Sequence, residues 1–221
     1  MHYHCNYPAC GSPTSGRSRY CNAHRLTLRR HGHPGQVGIK VTEYGGHRAA
    51  IRKLWDTNEG NPLWNVIDAR WQRCKATAEA TLASATTGAA YNRHEQRAAE
   101  ELLKLARNVP FQVIACTALA IYVFQADRPH RFRDDQAFAF QLVRKVRALD
   151  DLAVYRVWNP KRKRVHRAYR DLPPGAVRIL AGFLSASFGE AGLLLRDHEK
   201  SRPRLQATES KLMADALRSL R

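Results

Sequence analysis

Apolar residues recur at helical spacing over most of this chain. Within residues 47–57, Ile51, Leu54 and Trp55 fall at i, i+3 and i+4, the spacing of one helix face. Asn61-Pro62 then predicts a second helix, with Asn61 as N-cap and Pro62 at the first helical position. Its stripe is Leu63, Trp64, Ile67, Trp71 and Cys74, and alanine-rich residues extend it to about 85, where Thr86-Thr87-Gly88 breaks it. A third helix is expected over 93–107, with Glu100 facing Lys104 at i, i+4. Asn108-Val109-Pro110 closes it, and the following segment 111–126 is apolar nearly all round, the mark of a central helix. Asp134 caps a fifth helix to about 149, striped by Phe138, Leu142 and Val146.

The period changes after Asp150-Asp151. Residues 153–158 are β-branched and aromatic, Asn159-Pro160 signals a turn, and 165–169 resumes strand character. A two-stranded hairpin over 153–169 is therefore expected, with Lys161, Arg162, Lys163 and Arg164 at its tip. Pro173-Pro174-Gly175 leads into a last core helix over 176–195, and a polar, arginine-rich tail follows with a short amphipathic helix near 205–220. The fold class is mainly α: a small N-terminal module over 1–40, a multi-helix domain over 41–200 with one basic β-hairpin, and a basic tail over 201–221. Gly45-Gly46 marks the expected join between the first two. Trp55, Trp64 and Trp71 read as core residues, as do the isolated Cys74 and Cys116.

The first forty residues are poor in large aliphatics and carry the chain's sharpest chemistry. Cys5, Cys10, Cys21 and His24 follow C-x4-C-x10-C-x2-H. Three thiolates and one imidazole complete a tetrahedral Zn²⁺ shell and leave no open position, so a structural site is expected. The Cys21-x2-His24 spacing suits one helix turn, which favours His24 over His31 and His33 as the fourth ligand. Gly32 then stops the helix and Pro34 cannot continue it. So few hydrophobes could not fold this module without metal.

The string C-x4-C…P…YC-x2-H…RRHG-x-P resembles a small Cys3His, treble-clef-like finger of phage and bacterial mobile-element proteins, often found at the N-terminus of phage HNH endonucleases. The likeness spans about 35 of the 221 residues. It implies that Cys5, Cys10, Cys21 and His24 are zinc ligands and that Arg25, Arg29 and Arg30 lie on a helix facing DNA.

A net charge of +18 and a pI near 10.3 favour a polyanionic partner. The excess is concentrated: residues 1–40 hold six Lys/Arg and 152–170 hold seven, neither stretch has an acid, and together they supply +13. In the second run Arg156, Lys161, Arg162, Lys163, Arg164 and Arg167 are interleaved with Tyr155, Trp158, His166 and Tyr169. A hairpin of this kind can track phosphates or enter a groove, and the helix over 134–149 is a candidate reader of a winged-helix-like unit. Five cysteines do not form a secreted disulfide framework, and the start has no apolar signal core. Residues 111–124 are too short to span a bilayer, and Arg178 and Glu190 interrupt 176–195. No membrane partner is expected, and a cytoplasmic setting in a bacterial or phage-infected cell fits.

Catalytic signatures are thin. An HNH site needs a histidine base followed by further metal-holding Asn and His, but no such residue follows Asp197-His198-Glu199. Glu209-Ser210-Lys211 lacks a preceding Pro-Asp on a strand, and His130-Arg131-Phe132-Arg133 lacks a late nucleophilic tyrosine. Asp134-Asp135 and Asp150-Asp151 read as helix boundaries, and no Gly-rich phosphate loop occurs. The expectation is a non-enzymatic DNA-binding protein of phage or mobile-element type, a regulator, recombination accessory factor or nucleoprotein-complex subunit with other protein subunits as partners. A divergent metal-dependent endonuclease and an RNA- or ribonucleoprotein-binding module are the alternatives.

Overall fold

The structure is a computed structural model, which describes residues 3–87, 92–150, 154–160, 163–169 and 171–219, with backbone only for 154–157, 159, 164, 166–169 and 198–219. The chain is mainly helical. Helix α1 spans Asn22–His31, α2 Val41–Thr57, α3 Pro62–Thr86, α4 Arg93–Asn108 and α5 Phe111–Asp127. A 3-10 turn at Pro129–Arg131 leads to α6, Asp135–Arg147, and strands β1, Val154–Asn159, and β2, Arg164–Tyr169, precede α7, Pro174–Ser219.

The expected caps set several of these boundaries. Asn61 accepts from the Leu63 N–H at 2.9 Å with Pro62 behind it, and Asp134 accepts from the Ala137 N–H at 2.6 Å. The start of α2 departs from expectation, because the helix begins at Val41 and runs straight through Gly45 and Gly46. Two helical glycines cost about 2 kcal/mol together. Burial of Tyr44 and the anchoring of Glu43 offset this: the Glu43 carboxylate accepts the Lys40 N–H at 2.5 Å and pairs with Arg131 at 2.7 Å. The glycines are thus part of the helix and not a joint.

Helix α5 is the centre of the body, buried from Ile114 through Phe124. Helices α2, α6 and α7 pack against it, and α3 and α4 close the layer with α7. Trp64 and Trp71 are buried as expected, and Trp55 stacks on Trp64 with ring centroids 4.2 Å apart. Cys74 and Cys116 are both buried, and burial pushes the Cys116 thiol up to about 11. Close approach of α7 to α5 depends on Gly192, where a Cβ would lie 2.6 Å from the Cβ of Tyr122.

Helix α6 is no free reader of a groove. Eight of its thirteen residues are buried, because α1, α5 and α7 cover it on successive faces. Strands β1 and β2 pair antiparallel with Val154 opposite Tyr169 and Asn159 opposite Arg164. Lys161 and Arg162 lie outside the described residues, as do the side chains of Arg156, Arg164 and Arg167. Helix α7 continues to Ser219 as one element, where the sequence suggests a core helix, a tail and a separate short helix. Its segment Pro174–Asp197 is long and apolar enough to cross a membrane despite its charges, and 44% of that window is buried. Arg70 of α3 pairs with Glu190 there.

Candidate metal centre and basic surfaces

The N-terminal segment folds back on itself before α1. An isolated bridge joins His4 to Pro13, and the Cys5 N–H donates to Ser12 O at 3.0 Å, closing the Cys5–Cys10 loop. Ala9 takes a positive φ of 59° in that loop. The Asn6 N–H donates to Arg19 O at 3.0 Å, which brings the loop beside Tyr20 and Cys21. Cys21 then takes the N-cap position of α1, so His24 follows one turn later.

These turns bring Cys5, Cys10, Cys21 and His24 together. Their four ligand atoms lie within 4.8 Å of one another, close enough to bind a metal ion. His24 Nδ1 is 3.4 Å from both Cys5 Sγ and Cys21 Sγ, and Cys10 Sγ is 4.0 Å from Cys21 Sγ. Cys5 and Cys21 are buried, and Tyr7 covers His24 with ring centroids 4.1 Å apart. Hydrogen bonds from Ser12, backbone first, hold the Cys10 thiol down to about 6, so it is a thiolate at neutral pH. The His24 backbone N–H favours the Cys21 thiolate, but burial and the neighbouring Cys5 and Cys10 sulfurs outweigh it and push that thiol up. A bound cation would reverse that repulsion.

The structure also decides among the histidines. His31 Nδ1 is engaged by the Gln141 amide at 2.9 Å, and His33 Nδ1 accepts the Gly35 N–H at 3.1 Å. Neither belongs to the metal-capable cluster.

Those contacts show what the sequence alone did not: the N-terminal Cys3His module is docked on the helical body. Gly32 ends α1 at φ 82°, and a Cβ there would lie 2.7 Å from Gln136 O. Gln136 in turn donates to Gly32 O at 2.8 Å. Buried Gln36 donates to Arg131 O at 3.0 Å and accepts from the Arg133 N–H at 3.1 Å. Burial, then the Arg144 charge, lowers the His31 pKa below the ordinary 6.5.

Arg25 and Arg29 are exposed on α1, with Arg25 donating to Asn22 Oδ1 at 3.0 Å. Arg30 is partly engaged, because its Nε donates to Asp171 at 3.0 Å while Arg144 reaches the other oxygen of that carboxylate at 2.8 Å. Asp171 follows β2 by two residues, so it ties the end of α1 to the base of the hairpin. Nothing local in the sequence marks this role, apart from Asp171 being the acid that ends the acid-free run. Lys163 and Trp158 of the hairpin are exposed. Of the acidic pairs, Asp150 is buried and accepts from Asn108 at 3.4 Å with Lys104 at 3.5 Å, a structural role, and Asp151 lies outside the described residues. No family model, curated protein or solved structure matches the chain.

Proposed function

We propose that this chain is a non-enzymatic DNA-binding protein in which a structural Zn²⁺ holds α1 as one basic contact surface and the 154–169 hairpin supplies a second. The observation that carries the reading is the junction of the Cys3His cluster with α1, whose exposed residues include Arg25, Arg29 and Arg30. A tetrahedral zinc ion, with bonds of about 2.3 Å to sulfur and about 2.0 Å to nitrogen, sets sulfur–sulfur separations near ~3.8 Å and sulfur–nitrogen near ~3.5 Å. The observed 4.0 Å and 3.4 Å suit that ion. Four protein ligands fill the shell, so zinc would supply folding energy to the finger. The resemblance of the motif to phage and mobile-element fingers supports duplex DNA as the partner, and the charge of +18 supports a polyanion in general.

The test is paired charge reversal. Arg25→Glu/Arg29→Glu and Lys161→Glu/Arg162→Glu/Lys163→Glu should each weaken duplex DNA binding at least tenfold at moderate salt, given the counterion-release contribution per phosphate. Unchanged affinity in both variants would remove the reading. Incubating the wild type with plasmid and Mg²⁺ or Mn²⁺ separates it from a nuclease, since no cleavage is expected.

A further inference from the structure

Between the finger and the helical body lies a cleft of about 310 Å³, the size of a small-ligand site. Two aromatic rings, Tyr7 and Tyr20, enter it from the finger, while Pro34 and His33 line it from the turn after α1. Arg133, from the segment before α6, completes the wall, and no acidic residue among the described ones lines the cleft.

The Tyr7 ring is held in place before any ligand arrives. Tyr7 lies against His24 at 4.1 Å, and a Cβ at Gly35 would overlap the Tyr7 hydroxyl, so the ring is clamped between a metal-cluster residue and backbone. Tyr20 immediately precedes the cluster residue Cys21, and its carbonyl accepts from the Ser18 hydroxyl at 2.9 Å. The Arg19 guanidinium stands 5.5 Å from the Tyr20 ring centroid. Arg133 is exposed, and its side chain has no carboxylate partner among the described residues. Because His33 Nδ1 accepts the Gly35 N–H, a neutral His33 carries its proton on Nε2 as a donor. Asn6, also in the lining, offers an amide with both donor and acceptor.

Flat aromatic surface, polar edge groups and unanswered positive charge together match one chemical class: a nucleobase with its adjoining phosphate. We infer that this cleft takes one unstacked base of the bound nucleic acid, at a strand end or in a single-stranded stretch. The inference rests on the nucleic-acid reading and sharpens it, because α1 and the hairpin need only phosphates whereas this cleft needs a base out of the stack. A second cavity, about 350 Å³ between α2 and α5, presents Arg48 and Arg52 over Ala49, Val113 and Cys116, and a third of about 470 Å³ is lined by Ala49, Arg52, Lys53, Asp56 and Thr57. Among the described residues neither has an aromatic ring in its lining, and Asp56 stands 3.8 Å from Arg52.

The experiment uses the full chain with its metal. Fluorescence anisotropy compares a labelled single strand of about 12 nucleotides with a blunt duplex of the same length, a span within known single-strand site sizes. Tyr20→Leu and Arg133→Gln should weaken single-strand binding on the order of tenfold, the scale of one lost base stack, and duplex binding less than twofold. Tyr20→Phe should retain wild-type affinity. Equal losses on both probes, or no loss on the single strand, would overturn the inference. A wild type that binds duplex alone overturns it while leaving the DNA-binding reading intact; a wild type that binds neither removes both. If Tyr20→Leu loses its metal, wild-type protein is photocrosslinked to a 5-iodouracil strand. Crosslinks at Tyr7 or Tyr20 are expected, and crosslinks confined to other residues count against the cleft.

Discussion

At the residue scale, the chemistry of the N-terminal cluster follows from four side chains and the hydrogen bonds around them. Cys10 is already a thiolate near neutrality, with its pKa at about 6, whereas Cys21 resists ionisation while its neighbours carry charge. Metal binding must then displace protons, and affinity should fall steeply in acid. Cys21→Ser is expected to abolish stoichiometric metal binding by elemental analysis. Amide exchange should then accelerate across α1 while the α5 core stays protected, because that core is built without the finger's ligands. A second residue sets a separate pH dependence. Burial lowers the His31 pKa, with Arg144, Arg30 and Lys145 adding to the shift and Asp171 opposing it. A depressed folded value means the fold favours the neutral ring. That stability is complete above the ordinary 6.5 and is lost as pH falls through the lower folded value. His31→Gln keeps an amide partner for Gln141 without the titration, so its thermal stability should show a shallower slope below about pH 6.5. Equal slopes would mean that His31 does not carry this dependence. The ligand spacing was legible in the sequence because the ligands sit in local turns. Tyr7, Gln141 and Asp171 were not, because their roles come from contacts 17 to 141 residues distant in the chain.

At the element scale, helix boundaries follow local signals and tertiary contacts revise them. Asn61, Pro62 and Asp134 act where the sequence places them, since a cap needs only its own next turn. Gly45-Gly46 misleads because propensity is a weak prior beside the anchoring of Glu43 and Tyr44. The α6 stripe was readable, but its opposite face was not: Gln141 and Arg147 are polar yet buried. Arg147 donates through Nε to Glu101 at 2.9 Å, linking α6 to α4, and Arg97 stands 3.3 Å from the same carboxylate. Removing Arg147 leaves the buried Glu101 carboxylate with Arg97 as its remaining cation, so Arg147→Met should cost about 2–3 kcal/mol, the scale of lost charge-assisted hydrogen bonds. Adding Glu101→Leu should recover part of that loss in denaturant melts; strict additivity of the two losses would show that the pair is not coupled. Where the finger meets the body, Gly32→Ala combines a left-handed φ with a clash on the Gln136 carbonyl. A loss of about 2 kcal/mol, or roughly 5 °C in Tm for a chain of this size, is expected by calorimetry.

At the scale of the whole molecule, two basic surfaces read from the sequence as separate grips are physically connected. Arg30 of α1 and Arg144 of α6 share Asp171, which stands at the foot of the hairpin. If α1 and the hairpin contact one continuous stretch of DNA, their relative placement matters as well as their charge, and Asp171 separates the two. Asp171→Asn removes a negative charge from a chain of +18, so electrostatics alone would tighten binding to any polyanion. It also weakens two charge-assisted hydrogen bonds at the hairpin base, one from Arg30 of α1 and one from Arg144 of α6. A shared footprint therefore predicts weaker duplex binding despite the added charge, by about threefold to tenfold, with binding to heparin unchanged or stronger. The salt dependence supplies the complementary reading. Each phosphate contact contributes about −0.9 to the slope of log K against log salt, so losing the hairpin's three or four contacts should flatten it by about 3. Asp171→Asn tightening both polyanions equally would make the two surfaces independent patches, and the carboxylate between them a contributor to stability only.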